Sequence, residues 1–149
     1  MSSFRSKVAA IAAALLAGPL GVPLAAHAQT AKPYQVEWVY HVQYGHLAEW
    51  WRIFKKYQVA ILDREKQLGL VIDYKIYGPG LHTSEADRWD YRIVIAYPNQ
   101  AAADYANEDK VAAELFPDKA AMDREDQRRW ELTVNHWDLP IREIDPHAP

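Results

Sequence analysis

Three side chains that can transfer a proton or bind a negative charge lie within short apolar segments: His41, Asp73 and Arg92. Because an imidazole titrates near neutral pH, His41 is the candidate general acid and base. A carboxylate, Asp73 or Glu37, can orient the ring, and the Arg92 guanidinium can hold a carboxylate or a developing enolate oxygen. We therefore predict His41, Asp73 and Arg92 as the catalytic set.

The same segments supply three candidate ligand contacts, Glu37, Lys75 and Tyr77. Charges that leave water are costly unless they are paired or face a solvated cavity. The set therefore indicates a ligand cavity, or else a ladder of structural ion pairs at a subunit interface, in which a neighbouring carboxylate satisfies His41. Both interpretations stay open on the sequence alone.

The alternation between residues 35 and 44 predicts the strand that carries Glu37 and His41. Side chains alternate between the two faces of a strand, so one face here is apolar and the other is mixed. The apolar face comprises Val36, Trp38, Tyr40, Val42 and Tyr44, and the mixed face comprises Glu37, Val39, His41 and Gln43. The same rule places Asp73, Lys75 and Arg92 on the mixed faces of two later strands.

The rest of the sequence alternates between segments of helical and of strand periodicity. It predicts a helix over 46–68, strands over 70–77 and 90–97 joined by a loop, helical runs over 100–115 and 119–137, and a strand over 139–145. Right-handed crossovers then put the helices on one face of a single antiparallel sheet, which is the ferredoxin-like βαββαβ arrangement of the α+β class.

The other face of this sheet is predicted to be bare and partly apolar. Its apolar members are Val39, Val71, Tyr77, Val94 and Ala96. A face of this composition is too apolar to be left fully in water, so a second sheet is expected to cover it. A second copy of the same chain is the simplest source, and we predict a homodimer.

Three segments carry a likeness to a known group of proteins: Val36-x-Trp-x-Tyr-x-Val42, Tyr44-Gly45-His46 and Leu47-Ala-Glu-Trp-Trp-Arg-Ile-Phe54. With the strand and helix order, they resemble the dimeric alpha+beta barrel superfamily, which includes EthD-like, NIPSNAP-like, antibiotic-monooxygenase-like and stress-responsive proteins. The resemblance implies two subunits that close their sheets into a barrel, with a pocket inside it or between sheet and helices. Members with enzymatic roles often act on aromatic or polyketide-like molecules without a cofactor, whereas others bind haem or have no known reaction.

A cleaved secretory signal peptide is predicted for residues 1–28. This segment has a basic start with Arg5 and Lys7, an apolar stretch too short to span a membrane, and the cleavage pattern Ala26-His27-Ala28. Cleavage would leave a polar leader at 29–34, one domain at 35–145 and a tail at 146–149. The predicted location is the periplasm of a Gram-negative bacterium, or the exterior after secretion.

The charge and composition of the mature chain exclude several classes of partner and site. Cleavage removes two of the 17 basic residues and none of the 20 acidic ones, so the net charge falls from −3 to −5. Nucleic acids and anionic membranes both select a basic surface. Since the sequence has no cysteine, thiolate metal sites, iron–sulfur clusters and a cysteine nucleophile are excluded.

No nucleotide-binding, zinc-protease or serine-hydrolase motif occurs in the sequence. His41 and His46 lack a third ligand, so no metal is predicted. His82 is expected in a loop, and His136 near the end of the last helix. No cofactor is expected, and haem is the alternative. The function predicted is binding of a small, partly apolar molecule, with cofactor-independent acid/base turnover or as a non-catalytic homodimer.

Overall fold

Aromatic and β-branched residues at alternate positions build the central strand, because such side chains pack well on a pleated surface. The computed structural model describes residues 32–81 and 84–147. The predicted signal peptide and His82 lie outside the described residues. Within the described chain, β1 is Tyr34–Val42, β2 is Asp73–Tyr77, β3 is Tyr91–Tyr97 and β4 is Thr133–Ile141.

These four strands form one antiparallel sheet in the order β2-β3-β1-β4. The first connection, from β1 to β2, is a continuous helical run made of α1 (Leu47–Phe54), a π-helical turn (Lys55–Val59) and α2 (Ala60–Gln67). The second, from β3 to β4, contains a 3₁₀ turn (Gln100–Ala103), α3 (Tyr105–Leu115) and α4 (Lys119–Glu131). This order confirms the predicted ferredoxin-like βαββαβ fold of the α+β class.

The core lies between the helices and one face of the sheet, which we call the helix-side face. Trp50 and Phe54 of α1 pack on Tyr40 of β1, with ring centroids 4.8 and 5.7 Å apart. The buried cluster comprises Trp38, Tyr40, Val42, Trp50, Phe54, Leu62, Val71, Ile93, Ile95, Tyr97 and Leu132. The apolar strand face predicted from the sequence is therefore the face that the helices cover. Tyr44 is the exception, because β1 ends at Val42 and Tyr44 is exposed beyond it.

The end of the last helix was predicted wrongly. α4 stops at Glu131, and β4 begins at Thr133 rather than at residue 139. Trp130, Val134 and Trp137 have helical spacing, but antiparallel pairing with β1 satisfies the backbone from Thr133 onward. His136 therefore lies on a strand and does not interact with a helix terminus.

The start of the second strand also differs from the prediction. Leu70 and Val71 donate their backbone N–H groups to the Glu65 carbonyl, which closes α2, and regular pairing begins only at Asp73. Val71 consequently belongs to the core instead of the mixed face, while Ile72 is half exposed. Gly69, with a φ of 75°, makes the left-handed turn that ends the helix. None of the described helices is both long and apolar enough to cross a membrane.

Candidate functional site

The strand register puts the predicted site residues on the sheet face opposite the helices, which we call the open face. Tyr77 pairs with Arg92, and Arg92 pairs with Val39 of β1. Lys75 is linked in the same way, through Val94, to Glu37. The one register shift in the β1–β4 pairing lies beyond His41, between His41 and Val42, so it does not exchange the faces upstream of it.

His41 and Asp73 lie at opposite ends of the open face. Asp73 pairs with Ala96, which is opposite Gln35, so about 20 Å of strand separates it from His41. Its carboxylate instead binds the Lys66 ammonium at 2.6 Å. Neither Asp73 nor Glu37 is thus the carboxylate that we find beside His41.

The carboxylate beside His41 is that of Glu85, from the segment that joins β2 and β3. His41 is 9% exposed, and its Nε2 lies 3.2 Å from Glu85 Oε1 without the alignment of a hydrogen bond. Glu85 was not among the carboxylates predicted to lie beside His41.

Arg92 is engaged by its neighbours on the open face. Its guanidinium lies 3.7 Å from the Glu37 carboxylate and 4.6 Å from the centroid of the Trp89 ring. A depression of about 420 Å³ beside it is also lined by Trp137 and Leu139. Lys75 and Tyr77 are exposed and do not line this depression. Of the predicted residues, Glu37 and Arg92 are therefore brought together, and His41, Asp73 and Lys75 are not.

The segment before β3 anchors the end of β1. The Val42 N–H donates to the Asp90 carboxylate at 2.7 Å, and Arg88 donates to the Val42 carbonyl. Arg88 also lies 3.4 Å from Asp90 and stacks on the Tyr44 ring. The largely buried Arg88 and Asp90 side chains thus satisfy the backbone where the sheet ends, whereas Tyr44 is exposed.

A larger cavity lies on the helix-side face, between the sheet and α3. This cleft has a volume of about 620 Å³. Val36, Trp38 and Tyr97 supply apolar and aromatic lining, and the 3₁₀ turn Gln100–Ala103 lies beside them. Its polar members include Glu65, Tyr105, Glu108 and Asp138. A cavity of this size, mostly apolar with a few polar groups, is typical of a small-molecule site.

Glu65 is the most perturbed carboxyl in this cleft. It is 4% exposed. Burial, followed by the nearby charge of Glu108, raises the pKa of Glu65 to about 7, and no hydrogen-bond donor among the described residues opposes this effect. Burial also raises the pKa of Glu108, although a hydrogen bond from Gln58 acts against it. A carboxyl that exchanges its proton near neutral pH is suited to general acid/base chemistry.

The pKa of Asp138, on β4, is shifted in the opposite direction. Burial alone would raise the pKa of Asp138, but hydrogen bonds from His136 and Tyr105 outweigh it and the pKa is lowered. His136 Nε2 lies 3.1 Å from Asp138, and the Tyr105 hydroxyl donates to it at 3.0 Å. Burial, and then the bond to Asp138, raises the pKa of Tyr105 to about 12. The cleft thus holds two carboxyls of divergent proton affinity, which is a pattern found in acid/base sites.

Sequence reasoning missed the groups on the helix side of the sheet. Glu65 follows Ile61 and Leu62 by four and three residues, so helical periodicity places it on the buried face of α2. A polar residue within an apolar stripe is a signal that the sequence contains, and Gln58 on the same face is a second example. His136 was missed because the predicted last helix ran to residue 137, and Asp138 fell between that helix and the strand predicted from residue 139.

No group of three or more metal-ligating side chains occurs in residues 32–81 and 84–147. On β4, His136 directs Nδ1 to the Val39 carbonyl at 3.1 Å and Nε2 to Asp138. Both nitrogens are engaged, so this ring does not present a free ligand to a haem iron.

The fold is similar to those of several solved proteins. A dimeric ferredoxin-like protein from an uncultured marine organism covers 80% of this chain and 96% of its own, with a TM-score of 0.49 and 8% identity. A dimeric protein of unknown function and ferredoxin-like fold from Bacteroides fragilis covers 74% and 95%, with a TM-score of 0.43 and 7% identity.

An uncharacterised NIPSNAP domain protein from Burkholderia xenovorans covers 78% of this chain and 98% of its own, with a TM-score of 0.43 and 10% identity. No protein-family model matches the sequence, and neither does any curated protein. The ferredoxin-like fold of this chain rests on its own strand order.

Proposed function

We propose that this protein is an exported homodimer that binds a small, partly aromatic molecule in the cleft on the helix side of each sheet. The observation that carries the proposal is the cleft itself, a cavity of about 620 Å³ that contains a buried carboxyl with its pKa raised to about 7. Trp38 and Tyr97 supply the aromatic surface that a flat ligand would contact.

We propose Glu65 as the acid/base group of a cofactor-independent reaction in this cleft. Near neutral pH the carboxyl is partly protonated, so it can accept a proton from a bound ligand and return it to another atom of the same ligand. Asp138, held as an anion by His136 and Tyr105, keeps its neighbours fixed during that transfer. An aromatic or polyketide-like molecule with an acidic C–H or O–H group is the substrate class that this chemistry fits.

The open face is proposed as the dimer interface. Trp137 and Leu139 are 41% and 43% exposed there, next to the paired charges of Glu37 and Arg92. Large apolar side chains grouped on a sheet face are typical of a surface that another protein covers. The catalytic role predicted for His41, Asp73 and Arg92 stays a prediction, and export rests on the sequence of residues 1–28.

A cleft-blocking variant tests the binding site. Ala101→Trp places an indole at the rim of the cleft, and Ala120→Trp, on the exposed side of α4, is the matched control. Both proteins and the wild type are expressed with the signal peptide, purified, and extracted for co-purified small molecules by mass spectrometry. We expect one aromatic compound to be retained by the wild type and the control and lost from Ala101→Trp. Equal retention of the compound by all three proteins would exclude the cleft as its binding site.

The second candidate function is a binding homodimer without a reaction of its own. It is favoured by the pairing of Arg92 with Glu37 on the open face, because a paired charge can serve an interface without serving catalysis. Turnover of the co-purified compound by the wild type, but not by Glu65→Gln, would reject this candidate. Retention without turnover at any pH between 5 and 9 would favour it.

A further inference from the structure

The charged groups that line the helix-side cleft are all of one sign. They are the four carboxyl groups of Glu65, Asp104, Glu108 and Asp138. None of the described residues that line the cleft is lysine, arginine or histidine. The sequence as a whole is also net negative, so the wider field of the protein acts in the same direction. A cation is therefore attracted to this cavity, and an anion is repelled from it.

Three of these four carboxyls accept hydrogen bonds within the described chain. Asp104 accepts from the backbone N–H of the second residue of α3, at 2.9 Å. Glu108 accepts from the Gln58 amide. Asp138 accepts from the Tyr105 hydroxyl at 3.0 Å. The chain itself thus holds these three groups in place.

Glu65 is the carboxyl of this lining that has no partner among the described residues. The residue is 4% exposed, and no described side chain or backbone group donates a hydrogen bond to its carboxyl. The sealed, unpartnered polar atoms of the described chain do not include its oxygens, so the carboxyl faces the cleft that it lines. A buried carboxylate without a partner is costly, and a cationic group in the cleft would remove that cost.

Aromatic rings line the same space beside Glu65. Trp38 and Tyr97 are each 7% exposed, and both line the cleft. Burial, and then the charge of Glu65, raises the pKa of Tyr97, because the phenol lies close to the carboxyl. Cations are attracted to the faces of aromatic rings, and the attraction is stronger where both partners are desolvated. A carboxyl next to such rings is suited to a cation that is attached to a flat apolar group.

Basic side chains near the cleft do not supply this cation. The guanidinium of Arg129 is bound to the Asp126 carboxylate by two hydrogen bonds of 2.9 and 2.7 Å. Lys32 and Arg142 line an adjoining depression and not the cleft itself. The positive charge that Glu65 lacks must therefore come from a ligand.

We infer that the cleft selects a flat aromatic molecule that carries a cationic nitrogen, with the nitrogen beside Glu65 and the ring against Trp38 and Tyr97. The nitrogen donates to the carboxylate a charge-assisted hydrogen bond, which is about twice as strong as a neutral one. This inference rests on the proposed ligand site and narrows its ligand class to protonated aromatic amines and amidines.

Three probes of nearly the same shape separate the effect of charge from that of aromatic contact. Benzamidine is a cation, benzamide is its neutral counterpart, and benzoate is an anion. Binding is followed by two-dimensional NMR of the amide and indole N–H signals in the full mature protein, at about pH 8, where Glu65 is mostly ionised. We expect benzamidine to bind about tenfold more tightly than benzamide, because it adds a charged donor to the carboxylate. Benzoate should bind more weakly than benzamide.

Glu65→Gln tests the assigned partner, because it removes the carboxyl while nearly preserving the side-chain shape. This variant should bind benzamidine and benzamide with affinities within about twofold of each other. Glu143→Gln, at an exposed position beyond β4, changes the net charge by the same amount and should keep the preference for benzamidine. A preference that survives in Glu65→Gln would overturn the inference.

The outcome also distinguishes the choice of a cation from the proposed ligand site. If the three probes bind with equal affinity, and Ala101→Trp abolishes their binding, the proposed ligand site stands and the inference about the cation is wrong. If none of the probes binds to the wild type, the proposed aromatic ligand site is contradicted and the inference falls with it. Only a benzamidine preference that Glu65→Gln removes supports both.

Discussion

Replacing Glu65 by glutamine removes a buried carboxyl while nearly preserving the side-chain shape. In the folded chain, burial and then the charge of Glu108 raise the pKa of Glu65 from 4.5 to about 7. The folded state therefore holds this proton more tightly than the unfolded chain does. Its contribution to stability is complete below pH 4.5 and is lost as the pH rises through 7.

The size of the effect follows from the two pKa values. Their difference corresponds to about 3 kcal/mol at most. Because Glu65 borders an open cleft, water screens part of the cost, and we expect about 2 kcal/mol. Glu65→Gln should therefore raise the free energy of unfolding by about 2 kcal/mol near pH 8, and by less than about 1 kcal/mol near pH 5.

Urea unfolding, followed by tryptophan fluorescence at both pH values, measures this difference. Subtracting the wild-type value at each pH removes the contribution of histidines that titrate in the same range. Glu143→Gln, an exposed carboxyl beyond β4, is the control and should change stability little at either pH. A gain of equal size at both pH values, or a loss of stability near pH 8, would refute the reasoning.

The remaining predictions concern the open face and export. Asp90→Ala removes the acceptor of the Val42 N–H and should lower the free energy of unfolding by about 2 kcal/mol, whereas an unchanged urea midpoint would exclude this anchor. Leu139→Asp should convert the dimer to monomers in sedimentation at micromolar concentration, and a monomeric wild type would contradict the interface. His41→Ala should lower stability by about 1 kcal/mol and leave aromatic ligand binding unchanged, and the reverse result would favour an open-face site. Protein recovered from a bacterial periplasm should begin at Gln29, and a chain retained in the cytoplasm would argue against export.

The two faces of the sheet could be read from the sequence because strand alternation is a strict geometric rule. Trp38 and Tyr40 lie against the helices, and Glu37 and Arg92 lie together on the opposite face. The pairing of His41 could not be predicted in this way. It depends on the segment between β2 and β3 folding over the end of β1, and that segment has no periodicity from which its path could be derived.

The helix-side cleft could not be predicted from the sequence, because the boundary between α4 and β4 depends on the pairing of β4 with β1. Thr133–Ile141 contains Val134 and Trp137 at a spacing that also fits a helix, and β1 selects the strand because it offers hydrogen-bond partners. Once the strand is placed, His136 and Asp138 turn toward the helices. Glu65 could have been identified as a carboxyl on the apolar face of α2. Its raised pKa could not, because it results from burial in the folded chain.

The central claim is that the helix-side cleft holds a ligand beside a carboxyl that exchanges its proton near neutral pH. The most direct measurement is a carbon-13 NMR titration of the Glu65 carboxyl, made with and without benzamidine in the cleft. We predict a midpoint near 7 in the free protein and a lower midpoint when the probe is bound. A midpoint near 4.5 that the probe does not change would contradict the claim.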